Sequence, residues 1–384
     1  MPELYPFQAL RYSPSFDLQK VTSPPYDVIS PEVREQLKAS DPHNFVHVTL
    51  GGDHPSGPVS DARYSTAAAN LREWIDEGVL VYDSTPQFYL YAMDHSRGTT
   101  VGIMGVLQLA ELGAKDIFGH ERTMPSPKAD RLELMRTTRA NLEPLWFFAS
   151  SALNGFDILV EQTLVTPPTA DVTDGTGVRH RMWPIDPVKA GPADQVTRSI
   201  LSTPLVVADG HHRYETALTY QTERRQTSGD GPWDTTLALI VDPVVYPASL
   251  LAIHRLVDDL SLGDLDVPLE PFNGDVASLE KEVLKRGSGH VGFASTGGSS
   301  IAKTTGNLDT QWLAEILVGK TVRYEHDIEE VGRAVAAGSV GFLLAPVTMP
   351  MVAEQALSGI RMPPKTTLFW PKPLSGLISR DLDV

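Results

Sequence analysis

Residues 205–218 hold, within a few positions of one another, side chains suited to phosphate oxygens. Leu205-Val206-Val207-Ala208 is a short apolar run of the kind that makes a central strand. Asp209-Gly210 ends it with a turn signal, because glycine reaches positive φ without steric cost. Tyr214, Ala217, Leu218 and Gln221 then share one helical face, so His211, His212 and Arg213 fall in the first turn of a helix. The N-terminus of a helix carries the positive end of its dipole and amides outside the helical ladder. Two histidines and an arginine added there make a cluster of donors for phosphate. Asp209, just before the turn, is placed to hold a divalent metal that bridges the same phosphates.

Each residue also has a plainer reading. An Asp ahead of a helix is commonly a cap, and Asp209 alone is an even choice between cap and ligand. Three cationic or potentially cationic side chains in a first turn are different, since the dipole disfavours them unless an anion compensates. Histidines next to each other on a helix do not face each other, which argues against His211 and His212 sharing one metal ion. Ala314–Thr321 fits a relaxed phosphate-loop pattern, but the mechanism needs a glycine-rich loop between strand and helix. Here a helix precedes Gly319-Lys320-Thr321, so Gly319 reads as the end of that helix and the match as chance.

The elements that must position the turn alternate between strand and helix, so the class is α+β (mixed α/β). Three domains are expected: an N-terminal α+β domain over 1–115, a phosphate-binding domain over 116–245 and a C-terminal α/β domain over 246–384. In the first, Ser30-Pro31 opens a helix, Phe45–Leu50 reads as a strand, and Tyr64–Ile75 forms a helix closed by Gly78. Phe88–Ala92 and Thr100–Leu109 read as paired strands. The second has a helix at Lys128–Ala140, a strand at Leu145–Ala149 and a loop or hairpin tip at Thr166–Gly177. Helices at Val276–Lys285, Gln311–Val318 and Glu329–Ala337 and strands at Val291–Ala294 and Phe342–Ala345 fill the third, with a flexible loop at Ser295–Ser300.

The composition narrows the function. A net charge of −16 and the lack of any Lys/Arg-rich run argue against long DNA or RNA as partner. With 0 cysteines, thiolate nucleophiles, disulfides and Cys-ligated metal centres are excluded. Met1–Pro6 has neither the basic nor the apolar segment of a signal peptide, and Val335–Ala353 is broken by Gly338, Gly341, Pro346 and Pro350. No membrane partner is expected, and a cytoplasmic location is the default.

Strand, Asp209-Gly210-His211-His212-Arg213 and helix together resemble the phosphate-binding turn of the ParB/sulfiredoxin superfamily. Sulfiredoxin chemistry needs a cysteine, and the acidic balance does not suit ParB's DNA binding, which leaves the free L-serine kinases. Those carry Pro-His-Glu where this chain has Gly119-His120-Glu121, and Val-Asp-Gly-His-His-Arg where it has Ala208–Arg213. Their Tyr-Pro-Ala matches Tyr246-Pro247-Ala248, and their Pro-Lys-Thr-Thr matches Pro364-Lys365-Thr366-Thr367. In the kinases an Arg-His pair follows the last motif; Leu368 and Phe369 stand here. The whole chain also resembles a bacterial family known as a domain of unknown function, through Pro24-Pro25-Tyr26-Asp27-Val28, His120-Glu121-Arg122-Thr123, Asp209–Leu218 and Met362–Leu382.

The resemblance implies a ParB/sulfiredoxin-like core and a small-molecule kinase forming O-phospho-L-serine. Glu121 would be the general base, with His120 beside it, and Asp209 would position Mg²⁺. Gly210, His211, His212 and Arg213 would cradle the phosphates of ADP, ATP or pyrophosphate, and Lys365, Thr366 and Thr367 would close over them. Arg122, Lys128 and Arg131 read first as a solvated face and second as extra charge for the site, and Tyr26 and Asp27 as residues that close the pocket. Two other classes stand beside this: a nucleotide or amino-acid sensor without turnover, and a metal-dependent phosphate hydrolase using His120, Asp209, His211 and His212.

Overall fold

The computed structural model describes residues 1–51, 61–121, 125–187, 191–306 and 308–384. The chain mixes α and β structure throughout and divides into two compact units. The first comprises Met1–Gly119, Thr123–Ser249 and Pro371–Val384; the second comprises His120–Arg122 and Leu250–Trp370. Thr235–Val241 pairs along its whole length with Gly98–Gln108, so one sheet draws strands from both 1–115 and 116–245.

That sheet is nine-stranded. In order it runs Ile117–Phe118, Leu205–Asp209, Leu145–Ala149, Thr235–Val241, Gly98–Gln108, Phe88–His95, Arg179–Ile185 and Ala170–Thr173, with Leu4–Tyr5 also against Gly98–Gln108. Leu205–Asp209 is antiparallel to Leu145–Ala149 and parallel to Ile117–Phe118. Its apolar residues are fully buried, as a strand flanked on both sides requires. One core joins Phe147, Leu205, Val207, Tyr214 and Ile240, and so packs the helix His211–Ser228 against its own strand. A second core holds Leu10, Phe45, Val48, Leu71 and Trp74 under the helix Asp61–Asp76. The C-terminal segment also belongs here: Arg380–Asp381 pairs with Ala140–Asn141, and the Asp381 carboxylate accepts from Arg72 and from Tyr82 (2.6 Å).

The second unit is a six-stranded antiparallel sheet in the order Glu270–Phe272, Gly298–Lys303, His290–Ser295, Val340–Leu344, His254–Val257, Arg323–Glu325. The helices Val276–Arg286 and Ile328–Ala336 pack Leu279, Val283, Val331 and Val335 into one core. Trp312 and Leu313 of Asp309–Ile316 belong to another.

Several sequence expectations change. Phe45–Leu50 is not a strand; Val46–Thr49 is a helical turn, started by the Asn44 side chain accepting from Val46 N–H at 3.0 Å. The local cap and burial of Phe45, Val46 and Val48 override the β-branched preference. Ser295–Ser300 is not a loop but the turn of the hairpin His290–Ser295/Gly298–Lys303. Thr166–Gly177 contains the strand Ala170–Thr173 as well as the hairpin tip. Among the described residues, no helix is long and apolar enough to cross a membrane.

Candidate functional site

The turn after Leu205–Asp209 is built by two departures from regular structure. The pairing register with Leu145–Ala149 shifts between Val207 and Asp209, a bulge that re-aims the strand end. Gly210 then takes φ +95°, and a Cβ on it would lie 2.8 Å from Leu145 Cδ2 and 3.1 Å from Arg213 Nη2. Glycine is required for both reasons. Gly210, not Asp209, occupies the N-cap position of the helix His211–Ser228, so Asp209 belongs to the strand and its carboxylate caps nothing. Tyr214 N–H makes the first helical hydrogen bond, to the Gly210 carbonyl at 2.9 Å. The first-turn amides therefore precede the ladder, at the positive end of the dipole. His211 is buried and His212 half-buried.

Asp209 sits in a chain of alternating charges. Its Oδ2 accepts from Arg213 Nη2 at 3.0 Å, and its Oδ1 lies 2.8 Å from Lys372 Nζ. Lys372 also donates to Asp27 Oδ2 at 2.5 Å. Arg213 continues in the other direction, donating to the Pro144 carbonyl (2.9 Å) and standing 3.4 Å from Glu143 Oε2. Glu143 in turn accepts from Ser375 Oγ and from Tyr26 N–H (3.4 Å). Burial by itself would raise the Asp209 carboxyl, but Lys372 and Arg213, with His211 adding, hold it far below the usual carboxylate range. Burial would likewise lower the Lys372 ammonium, yet Asp209 and Asp27 raise it. The Arg131 guanidinium lies 4.1 Å from the centre of the Tyr26 ring and is held by Asp130 (2.5 Å) and the Thr49 carbonyl (3.2 Å). Burial pushes the Tyr26 phenol up to about 12, against the pull of Arg213 and Arg131.

The arrangement revises three expectations. Three cationic groups in the first turn called for an external anion; for Arg213 the compensation is internal, from Asp209 and Glu143. Arg131 is not a solvated residue; its side chain is 7% exposed and braces Tyr26. Asp209 and Asp27 are hard oxygen donors of a kind that suits Mg²⁺. Both Asp209 oxygens are already engaged by Arg213 and Lys372, however, so a metal ion on Asp209 does not fit the cluster as it stands. Among the described residues, no group of three or more His, Asp or Glu side chains could hold a metal ion.

Behind the network lies a cavity of about 50 Å³ lined by Thr49, Arg131, Leu142, Glu143, Arg213 and Thr216, among others. It has room for a few waters, not for a nucleotide.

The second unit brings together the other two sequence motifs. His120 is fully buried, and its Nε2 lies 2.9 Å from Thr367 Oγ1. The His120 carbonyl accepts from Met362 N–H at 2.8 Å, and Glu121 bridges to Met362. Glu121 Oε1 accepts from the Lys365 amide at 3.3 Å. Lys365 adopts φ +58°, a conformation a non-glycine side chain rarely takes, and its carbonyl accepts from Arg255 Nη2 at 2.8 Å. Thr366 is buried and donates to the Pro363 carbonyl at 2.7 Å. His120-Glu121 and Lys365-Thr366-Thr367, far apart in sequence, thus form one constellation within this unit. Arg122 and Thr123 lie outside the described residues. Tyr246-Pro247-Ala248 lies in the first unit, where Val101 N–H donates to the Tyr246 carbonyl and Thr100 Oγ1 to the Pro247 carbonyl.

Sequence reasoning missed Lys372 and Glu143. The signals were present: Lys372 lies inside the Met362–Leu382 segment of the family resemblance, and Pro371 and Pro373 fix the backbone on either side of it. Asp27 was anticipated only as a pocket-closing residue, and it is the second carboxylate on Lys372.

A mixed α and β protein with a charged strand–turn–helix site is the class these observations define. The profile of the family described as "Protein of unknown function (DUF1015)" matches residues 4–301, and the chain belongs to that family. No curated protein matches the sequence. Among solved structures, the chain is similar to a free serine kinase in complex with AMP, with TM-score 0.40 and 12% identity over 73% of this chain and 92% of that one. A variant of a free serine kinase in complex with ADP gives the same values. A conserved hypothetical protein from Pyrococcus furiosus gives TM-score 0.37 and 13% identity over 73% of this chain and 96% of that one.

Proposed function

We propose that this chain is a phosphotransferase that moves a phosphoryl group from ADP, ATP or pyrophosphate to the hydroxyl of free L-serine, giving O-phospho-L-serine. One observation carries the reading. A helix begins directly after a bulged strand through a glycine at φ +95°, with His211 and His212 in its first turn and a half-buried carboxylate held ionised beside it by Lys372 and Arg213. Such a terminus suits the oxygens of a phosphate chain.

In this reading Gly210, His211 and His212 cradle the donor phosphates, and Arg213 adds its charge while fixing Asp209. Glu121 takes the proton from the serine hydroxyl; the freed oxygen attacks phosphorus, and the P–O bond to the donor breaks with its electrons passing to the leaving phosphate. Lys365, Thr366 and Thr367 close over the phosphate, with His120 holding Thr367. With Asp209 held by Arg213 and Lys372, Mg²⁺ would have to enter on the donor's own phosphates, where it would supply charge neutralisation. The motif resemblance to the free L-serine kinases supports serine as acceptor and Glu121 as base.

The test is turnover by the purified full chain with Mg²⁺ and L-serine, offering ADP, ATP and pyrophosphate in parallel and detecting O-phosphoserine by mass spectrometry. Product with one donor, lost in Glu121→Gln at unchanged thermal stability, is the expected result. Donor binding with no product from any donor overturns serine as acceptor. Donor binding indifferent to Glu121→Gln, again without turnover, points to a sensor instead.

A further inference from the structure

Lys372 stands outside the residue roles of the proposed reaction, yet its ammonium is closely held by two carboxylates. Its side chain is 11% exposed, and its ammonium is fixed between Asp27 Oδ2 at 2.5 Å and Asp209 Oδ1 at 2.8 Å. The backbone that presents it is equally fixed. Pro371 and Pro373 flank it, and Leu374 N–H donates to the buried Tyr91 hydroxyl at 3.2 Å, which lies 2.8 Å from His180 Nδ1. Ser375 pairs with Ser23 and donates to Glu143. A long flexible side chain would ordinarily lose rotamer entropy on being ordered; here proline flanks, a buried hydroxyl and two carboxylates order it in advance.

An ammonium has three donors. Two of Lys372's are directed to Asp27 and Asp209, and the carboxylate it shares is the one that ends the phosphate-binding strand. We propose that Lys372 is a phosphate-binding residue of this site, resident at the cation position beside Asp209, and that its third N–H takes an oxygen of the donor's phosphate chain. Asp27 and Asp209 then act as the seat that aims the ammonium, and Asp209 needs no metal ion to do so. The inference rests on the phosphotransferase reading for its ligand class, but not on serine as acceptor or on Glu121 as base.

The experiment uses the full chain with inorganic pyrophosphate as probe, followed by calorimetry without serine or metal, for the wild type, Lys372→Met and Lys372→Arg. Loss of one charged hydrogen bond should weaken pyrophosphate binding by at least about tenfold in Lys372→Met, with partial recovery in Lys372→Arg. A second readout separates this from a purely structural role. With the ammonium gone, Asp27 and Asp209 are left as facing carboxylates, so Lys372→Met should gain Mn²⁺ binding detectable by electron paramagnetic resonance without any donor. Should Lys372→Met fail to fold, the wild type decides: lysine ε-carbons are labelled, the Lys372 signal is assigned through Lys372→Arg, and pyrophosphate is titrated. Saturation of binding with that signal unmoved overturns the inference. So does wild-type affinity for pyrophosphate in a folded Lys372→Met. Lysine-dependent pyrophosphate binding without O-phosphoserine formation sinks the serine reading and leaves Lys372 in place, whereas a wild type that binds neither pyrophosphate nor nucleotide sinks both.

Discussion

Arg213→Met tests whether the alternating network is what holds the site strand and the site helix together. Arg213 is 15% exposed, Glu143 6% and Asp209 22%, so solvent screens this trio little. Removing the guanidinium while keeping the stem leaves Asp209 with Lys372, but leaves Glu143 with only Ser375 Oγ and the Tyr26 amide. Stranding a buried charge in this way costs about 3–5 kcal/mol; the lower end is expected, because one of the two carboxylates keeps a cation. The loss should depend on pH, and the sign follows from which state binds the proton. Lys372 and Arg213 together hold the wild-type Asp209 carboxyl far below its ordinary range, so its contribution is fully present above the unfolded value of about pH 4 and is lost only as pH falls below it. Without Arg213 the depression is smaller, so the variant has less of this stability to lose on acidification. The gap between wild type and variant should therefore be widest above about pH 4 and narrow as pH falls towards about 3. Urea unfolding followed by tryptophan fluorescence reads it, since Trp74, Trp146, Trp183 and Trp233 all lie in the first unit. Adding Glu143→Gln should restore at least about half of the loss, because the stranded charge is then gone. A loss under about 1 kcal/mol, or one equal at about pH 3 and about pH 7, would refute the reasoning.

Gly210→Ala should destabilise the first unit by about 1–2 kcal/mol from the left-handed backbone alone, and by more from the approach of Leu145 Cδ2; urea unfolding checks the cost, and pyrophosphate calorimetry on the folded fraction should show weakened binding. Tyr26, pushed up to about 12, should be silent in tyrosinate absorbance through pH 10–11, and the difference between wild type and Tyr26→Phe should appear only above that range. The raised phenol contributes stability that is complete below its unfolded value near 10 and lost as pH rises towards 12. A Tyr26 transition at or below pH 10 would show that the ring is not buried as described.

What could be read from the sequence was whatever depends on neighbouring residues. Leu205–Asp209, Gly210 and the helix after them follow from apolar run, glycine and helical spacing, and the structure places each close to where the pattern puts it. The paired strands read at Phe88–Ala92 and Thr100–Leu109 were legible for the same reason, as β-rich runs on either side of a turn at Ser96-Arg97-Gly98, and the structure pairs Phe88–His95 with Gly98–Gln108. Phe45–Leu50 failed because β-branched residues dominate its pattern, while the deciding facts are the Asn44 cap and the core that Phe45 and Val48 enter. The pairing of Thr235–Val241 with Gly98–Gln108 is a long-range choice that no local window carries. Glu143, a glutamate before a proline, reads as ordinary punctuation, and for Lys372 the Met362–Leu382 resemblance and the flanking prolines mark a fixed position without saying that it meets Asp209. Only the fold shows that the C-terminal segment returns to the first unit and lays Lys372 on Asp209.

The charge balance of the cluster bears on how a donor would be received. Asp27, Asp209 and Glu143 face Lys372 and Arg213, while Arg131 is shared with Asp130. The carboxylates therefore already match or outnumber the cations before any phosphate arrives, in a chain whose net charge is −16. A site of that balance cannot attract a polyphosphate by surplus positive charge, as a basic patch does. In the proposed phosphotransferase the attraction would instead be directional, from the helix-terminal amides, His211, His212 and the third donor of Lys372, or would come with a divalent ion that the donor brings. Asp209 then has a different task from the one its position first suggests. By holding both Arg213 and Lys372 it converts two mobile cations into fixed ones, and a fixed dipole array is what stabilises charge in a transition state without reorganising. On this view Asp209→Asn, which keeps the shape and removes the charge, would release Lys372 from one of its two seats and cost the site its aim rather than its metal.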